Sequence, residues 1–265
     1  MSTKISIAHL QEMKARYEKI CSLTAYDASF ATILDDSGIE VILVGDSLGM
    51  VLQGENSTLK VSMDDMVYHT RIVSPACQRA LLIADMPYRS YRTPALALEN
   101  ARRLMNEAGA DAVKLEGGEE VADIVKILTN NDIPVCGHVG LQPQSVEKYG
   151  GYKVQGRDEK GAEQILKGAI ALQQAGAMMI VLECIPAELA EKITHAINVP
   201  TIGIGAGANC DGQVLVLYDL LGVSRKSPHM AKNFLAENGN IRDAIVAYVE
   251  AVKSGSFPAA EHSFK

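Results

Sequence analysis

An apolar run, Gly109-Ala110-Asp111-Ala112-Val113-Lys114-Leu115-Glu116-Gly117-Gly118, carries a lysine in its interior and ends on a glutamate. A charge inside a strand is costly unless it is paired or put to use. The pattern returns in Ala175-Gly176-Ala177-Met178-Met179-Ile180-Val181-Leu182-Glu183, which follows Ala108 to Glu116 position for position, so Glu183 is the counterpart of Glu116. A weaker copy, Ser37 to Ser47, ends its apolar run on Asp46 and Ser47, and Leu81-Leu82-Ile83-Ala84 ends on Asp85. His138 stands near the end of another such run, Pro134 to Gly140. If these ends meet, the acids repel one another unless they share a proton or a cation. Oxygen donors without cysteine or paired-histidine spacing point to Mg2+ or a similar hard ion.

Repeated helix, glycine, strand, acid units must position these groups. Residues 6–20 place Ile7, Leu10, Met13 and Tyr17 at helical spacing and predict an amphipathic helix that closes the N-terminal end of a barrel. Strands follow at Ile20 to Asp27, Val41 to Gly45, Leu81 to Pro87, the Lys114 run, Pro134 to Gly140, Met179 to Glu183, Thr201 to Gly207 and Gln213 to Asp219. Between them lie helices at Ala28 to Asp36, from Ser62 towards Ala80 with a capping-box-like start, from Pro94 to near Gly109, Glu119 to Thr129, Glu159 to Gln174, and Pro186 to about Asn198. The turn before the eighth strand is too short for a helix. Residues 228–254 read as helical and the last residues as frayed. Leu48 to Val61 is long enough to be an active-site cover, and Gln142 to Asp158 is a polar, glycine-rich insertion.

Eight strands without a break in composition predict one (β/α)8 TIM barrel over residues 1–265. An open doubly wound sheet is the alternative, but no G-x-G-x-x-G follows an early strand. In a closed parallel barrel every strand's C-terminal end opens into the same mouth, which brings Asp46, Asp85, Lys114, Glu116, His138 and Glu183 together. Each has a plainer reading. Asp46 and Asp85 suit helix caps. Lys114, taken as one residue off the face of Glu116, suits an ion pair with an acid on a neighbouring strand, and His138 suits a hydrogen-bonded core position. Gly203-Ile204-Gly205-Ala206-Gly207 lacks the lysine and hydroxyl of a phosphate loop and reads as backbone shape, suited to a flat ligand.

The composition narrows the partners. A formal net charge of −7 over 265 residues offers no basic stripe, which argues against nucleic acid and anionic membrane surfaces. No apolar run reaches the ~20 residues of a membrane span, and the start has no signal-peptide apolar stretch, so a cytoplasmic protein is expected. Cys21, Cys77, Cys136, Cys184 and Cys210 are scattered and odd in number, as for reduced, packed thiols.

Six segments, in order along nearly the whole chain, resemble the ketopantoate hydroxymethyltransferase family: Thr24-Ala25-Tyr26-Asp27, Val44-Gly45-Asp46-Ser47-Leu48-Gly49-Met50, Ala84-Asp85-Met86-Pro87, Val113-Lys114-Leu115-Glu116-Gly117-Gly118, Gly137-His138-Val139-Gly140-Leu141-Gln142-Pro143-Gln144 and the Gly203 to Gly207 run. The resemblance implies a barrel of the phosphoenolpyruvate/pyruvate superfamily type. It also implies Mg2+, 5,10-methylenetetrahydrofolate as co-substrate, a small 2-oxoacid, 3-methyl-2-oxobutanoate, as acceptor, and assembly as a homodecamer. On the matching positions, Asp46, Asp85 and Glu116 resemble the metal site. Asp46, Ser47, Asp85, Lys114 and His138 resemble the 2-oxoacid contacts, and Glu183 the catalytic base. The chemistry fits the residue types: a metal and Lys114 stabilise an enolate, and Glu183 removes the C3 proton. Burial beside Val181 and Leu182 raises the pKa of Glu183 while the cations oppose it. A metal-dependent C–C lyase or mutase on the same barrel, or a non-catalytic ligand-binding barrel, are the competing readings.

Overall fold

Short apolar runs flanked by glycine suit parallel strands buried on both faces. In the computed structural model, which describes residues 3–148, 150–224 and 226–265, eight of them pair in parallel and in chain order to close a barrel. They are β1 (Ile20–Thr24), β2 (Val41–Val44), β3 (Leu81–Asp85), β4 (Ala112–Glu116), β5 (Val135–Gly140), β6 (Met179–Glu183), β7 (Thr201–Ile204) and β8 (Gly212–Leu215). The helices are α1 (Ile7–Ala15), α2 (Ala28–Asp36), α3 (Leu48–Val51), α4 (Met63–Val73), α5 (Pro94–Arg102), α6 (Ala122–Thr129), α7 (Glu159–Gln174), α8 (Ala187–Ala196), α9 (Leu217–Leu220), α10 (Leu235–Asn238) and α11 (Ile241–Lys253). No helix separates β7 from β8, as the short connection requires.

Local chemistry sets several of these boundaries. Ser62 and Asp65 form a reciprocal capping box at the start of α4, an arrangement of the kind whose loss costs about 1 kcal/mol. The helix stops at Val73 rather than running towards Ala80, because Pro75 has no N–H to continue it and a 3-10 turn over Ser74–Ala76 takes over. Gly109 and Gly176 adopt φ of +80° and +98°. That left-handed conformation lets the chain leave a helix and enter β4 and β6, and it explains why the repeat carries glycine there.

The barrel interior is plugged by Ile20, Val41, Leu81, Ile83, Ala112, Cys136, Met179, Val181, Ile202 and Val214, joined by Leu10 and Met13 of α1. The N-terminal helix therefore closes that end, and burying each such side chain contributes roughly 1.5–3 kcal/mol. The alternate strand residues, such as Leu82, Val113, Leu115, Ile180 and Leu182, face the helices in a second core. Because residues two apart share a strand face, the plug fixes what comes next: Asp85 follows Ile83, Lys114 and Glu116 follow Ala112, His138 follows Cys136 and Glu183 follows Val181.

The C-terminal third departs from expectation in two places. Strand β8 ends at Leu215, and Leu217 opens the short α9 with its N–H donated to the Thr24 hydroxyl. Residues 228–234 are not helical, and Gly239 at φ +74° separates α10 from α11. The last residues are tied down rather than frayed. Ala187 N–H donates to the Phe264 carbonyl at 3.0 Å, beside a bridge between Pro186 and Phe264, and Phe257 is buried. All five cysteines are free and buried, and among the described residues no helix is long and apolar enough to cross a membrane.

Candidate active site

At the C-terminal mouth the interior column of each strand turns from apolar to charged. Asp46 lies just past β2, Asp85 ends β3, Lys114 and Glu116 share β4, His138 is in β5 and Glu183 ends β6. The register places Asp85 beside Lys114, Glu116 beside His138 and Gly140 beside Glu183. Asp46, Asp85, Lys114, Glu116 and His138 are each no more than 5% exposed. Lys114 and Glu116 are two residues apart and so point to the same face, not to different faces as expected from the sequence; both enter the barrel.

Lys114 is the centre of charge. Its Nζ lies 3.0 Å from Asp85 Oδ1 and 3.2 Å from His138 Nδ1. Burial disfavours its charge, but Asp85, Glu116 and Asp46 together hold its pKa above the ordinary lysine value. A charged ammonium can only donate, so His138 Nδ1 accepts and the imidazole proton sits on Nε2. Burial and the Lys114 charge press the His138 pKa well below its usual value, so the ring is neutral. The His138 approaches to Glu116 Oε1 (3.6 Å) and Glu183 Oε2 (3.2 Å) are therefore not ion pairs. The Nε2 approach is also too bent for a hydrogen bond, and that atom has no partner.

The three acids resembling a metal site share one feature. Each has one oxygen tied by an N–H donor. Asp85 Oδ2 accepts the Asp46 backbone N–H at 2.9 Å, Asp46 Oδ2 accepts Gln144 Nε2 at 2.8 Å, and Glu116 Oε2 accepts the Gln144 backbone N–H at 3.0 Å. Asp85 Oδ1 is buried and, despite its closeness to Lys114, has no well-aligned hydrogen bond. Burial, reinforced by Asp85, pushes Asp46 up to about 7, and burial raises Glu116 well above the carboxylate range. Ionised together, three crowded carboxylates against one ammonium would leave a negative excess in a dry site; the raised pKa values relieve it by protonation, and a hard cation such as Mg2+ would relieve it by displacing those protons. Among the described residues no three acidic, histidine or cysteine side chains already converge in ligand geometry. A cation held by all three acids therefore needs side-chain adjustment or a bridging water.

Glu183 stands apart from those acids, across the His138 ring from Glu116. Its carboxylate accepts no hydrogen bond among the described residues, and burial, only partly offset by Lys114, pushes its pKa up to about 7. In the metal-free chain desolvation thus wins over the lysine charge. The chain turns sharply after it: Cys184 has φ +47°, and the Leu141 N–H holds the Glu183 carbonyl at 2.8 Å. The Cys184 thiol is buried and its pKa raised, so it remains protonated.

Ser47, expected among the substrate contacts, sits at the edge of this group with its hydroxyl 2.8 Å from the Tyr26 hydroxyl. The cover expected over Leu48 to Val61 contains α3 and a 3-10 turn. Its Met50 sulfur accepts the Tyr152 hydroxyl at 3.5 Å, from the 142–158 insertion. Partial burial, reinforced by the charges of Glu183, Asp46 and Glu116, raises the Tyr152 phenol above its ordinary value. The Gly203 to Gly207 run packs closely against the chain's own side chains, in keeping with its reading as backbone shape. A side-chain carbon at Gly205 would press on Phe264 and Met230, and one at Gly207 on Ala187.

Three participants were not singled out from the sequence: Gln144, Tyr91 and Tyr26. Gln144 closes the Gly137 to Gln144 segment and so lay within a visible signal, but it falls in a polar loop with no periodicity. Tyr91, whose hydroxyl donates to Gln144 Oε1 at 2.7 Å, lies in a turn-rich stretch before α5 where nothing in the spacing marks it.

A ketopantoate hydroxymethyltransferase family model matches residues 4–260. The chain is 56% identical over 262 residues to the 3-methyl-2-oxobutanoate hydroxymethyltransferase of Nitrosococcus oceani, covering 98% of this chain and 99% of that protein. It is 57% identical over 263 residues to that of Tolumonas auensis, with 99% of each covered. Among solved structures, phosphonopyruvate hydrolase superposes with a TM-score of 0.64 at 13% identity, over 97% of this chain and 92% of that one. A 2,3-dimethylmalate lyase of the PEP mutase/isocitrate lyase superfamily gives 0.61 at 14% identity, over 96% and 97%. At such identities the likeness speaks for the fold alone.

Proposed function

The chain belongs to the ketopantoate hydroxymethyltransferase family, and from that premise we propose how its own residues move a one-carbon unit from 5,10-methylenetetrahydrofolate to 3-methyl-2-oxobutanoate, giving ketopantoate for pantothenate biosynthesis. It is an enzyme, and a transferase. The observation that carries the mechanism is Glu183, a carboxylate only 13% exposed and with no hydrogen-bond donor among the described residues, set on a different strand from the three acids that would hold a cation.

Asp46, Asp85 and Glu116 would hold Mg2+, which supplies Lewis-acid polarisation of the 2-oxo group. Ser47 and His138 line the space beside those acids and orient the 2-oxoacid. Glu183 removes the C3 proton of 3-methyl-2-oxobutanoate. A base whose pKa lies near 7 combines a large ionised fraction with real proton affinity at neutral pH. Lys114, held charged by its acidic neighbours, stabilises the negative charge that the substrate gains as that proton leaves. The neutral His138 accepts the Lys114 ammonium at Nδ1 and lies between it and Glu183 without adding charge. The substrate's C3 then forms a bond to the methylene carbon of the folate as one of that carbon's two C–N bonds breaks; water adds to the same carbon as the second C–N bond breaks, its oxygen becomes the hydroxyl of the product, and the two released folate nitrogens take up the proton from C3 and the proton from water.

The whole chain, 1–265, serves as one catalytic unit in this reading. Five unpaired, buried thiols support a cytoplasmic location. The homodecamer implied by the family resemblance is tested by light scattering of the purified chain. The mechanism itself is tested by C3 proton exchange of 3-methyl-2-oxobutanoate in D2O with Mg2+ and no folate. Exchange by the wild type and its loss in Glu183→Gln support it; exchange that persists in the variant removes Glu183 from the role of base.

A further inference from the structure

Gln144 is 5% exposed and makes hydrogen bonds to four different residues at the mouth. Its side-chain Nε2 donates to Asp46 Oδ2 at 2.8 Å and to the Met86 carbonyl at 3.0 Å. Its Oε1 accepts from the Tyr91 hydroxyl at 2.7 Å, and its backbone N–H donates to Glu116 Oε2 at 3.0 Å. The amide orientation is forced. A carboxylate and a carbonyl can only accept, so the nitrogen must face Asp46 and Met86, and the oxygen must face Tyr91. Tyr91 in turn lies 3.3 Å from the Glu116 backbone N–H, which donates to its hydroxyl.

Gln144 therefore supplies the N–H donors for two of the three acids, one just past β2 and one on β4, from a loop that follows β5. Tying one oxygen of each carboxylate leaves Asp46 Oδ1 and Glu116 Oε1 without a hydrogen-bond donor among the described residues and so as the oxygens open to a cation. Neutral N–H donors do this without adding charge, so the negative excess that attracts the cation is kept. Outer partners that orient ligand carboxylates act on metal affinity as strongly as many ligands do.

We propose that Gln144 is a positioning residue for the divalent cation, its amide and backbone N–H presetting the carboxylates of Asp46 and Glu116, with Tyr91 fixing the amide. This rests on the metal reading given above. In this role Gln144 acts through the acids that it hydrogen-bonds.

The test is direct binding of Mn2+, a hard oxygen-seeking stand-in for Mg2+, to the purified oligomer by electron paramagnetic resonance, with melting curves alongside. Gln144→Met keeps the length and loses the donors and acceptor. It is expected to weaken Mn2+ binding roughly ten- to hundredfold while melting cooperatively, and its kcat is expected to return towards wild type as Mg2+ is raised. Tyr91→Phe, which loses one hydroxyl, is expected to weaken binding by a smaller factor. Unchanged affinity in a folded Gln144→Met, or a loss of kcat that added cation does not restore, overturns the proposal. If Gln144→Met does not fold, Tyr91→Phe decides, and wild-type affinity there overturns it. Failure of the wild type itself to bind Mn2+ would overturn the metal reading and this inference with it, and only that result shows in the unmodified protein.

Discussion

Glu183 Oε2 lies 3.2 Å from His138 Nε2. The other ring nitrogen accepts from Lys114, so a single neutral imidazole lies between the ammonium on β4 and the carboxylate that ends β6. Glu116 and Glu183, counterparts in the sequence, thus stand on opposite sides of one ring with different neighbours and different work.

The first consequence is a pH profile. A carboxylate pushed up to about 7 is mostly protonated below that pH and cannot take a proton. Deuterium exchange should therefore rise about tenfold per pH unit on the acidic side and level off above the pKa. Bound Mg2+ favours the ionised form, so the limb of the loaded enzyme should lie below 7. Exchange rates measured against pH test this, and a flat profile between pH 5 and 8 would contradict it.

Lys114 is tied to stability as well as to chemistry. Lys114→Met removes the cation facing Asp85 Oδ1 and leaves a buried acid cluster uncompensated. Breaking a buried pair in this way costs about 3–5 kcal/mol, so the variant should unfold at distinctly lower urea concentration and show exchange reduced by about a hundredfold or more. A variant as stable as wild type would mean that the cluster is already protonated in the metal-free chain.

Gly140 is a further point of control over the base. It adopts φ +98°, and a side-chain carbon there would collide with the Glu183 carbonyl oxygen. Gly140→Ala should cost about 1–3 kcal/mol through backbone strain and lower kcat by displacing Glu183, while leaving Mn2+ affinity nearly intact. Loss of cation binding in step with kcat would place the damage at the acids instead.

The acids also predict how Mg2+ stabilises the protein. Asp46 and Glu183 have folded-state pKa values raised to about 7 from ordinary values of 3.8 and 4.5. Between those limits the folded chain binds more protons than the unfolded chain, so this cluster's contribution to stability falls as pH rises. Mg2+ binds the folded, ionised form, and its stabilising effect should be larger at pH 8 than at pH 5.5. Melting temperatures with and without Mg2+ at the two pH values measure this; an equal gain at both would argue that the acids are not its site.

Much of the fold was legible because its signals are local. Apolar runs bounded by glycine marked the strands, and the glycine at Gly109 and Gly176 marked the same left-handed turn twice. The tail was misread for the same reason: Phe257 and Phe264 are held by contacts to distant residues, which no local pattern records. The glycine run at Gly203 reads as backbone shape, and its close neighbours prove to be Phe264, Met230 and Ala187.

The sequence by itself determined the barrel and which residue types stand at its strand ends, because a period of two and a repeated helix, glycine, strand unit are properties of the chain taken in order. Only the tertiary structure decided that Lys114 lies between Asp85 and His138, that Gln144 reaches back to Asp46 and Glu116, and that burial outweighs Lys114 at Glu183. Those are matters of distance and solvent exclusion across strands far apart in the chain, and they exist only once the barrel has closed.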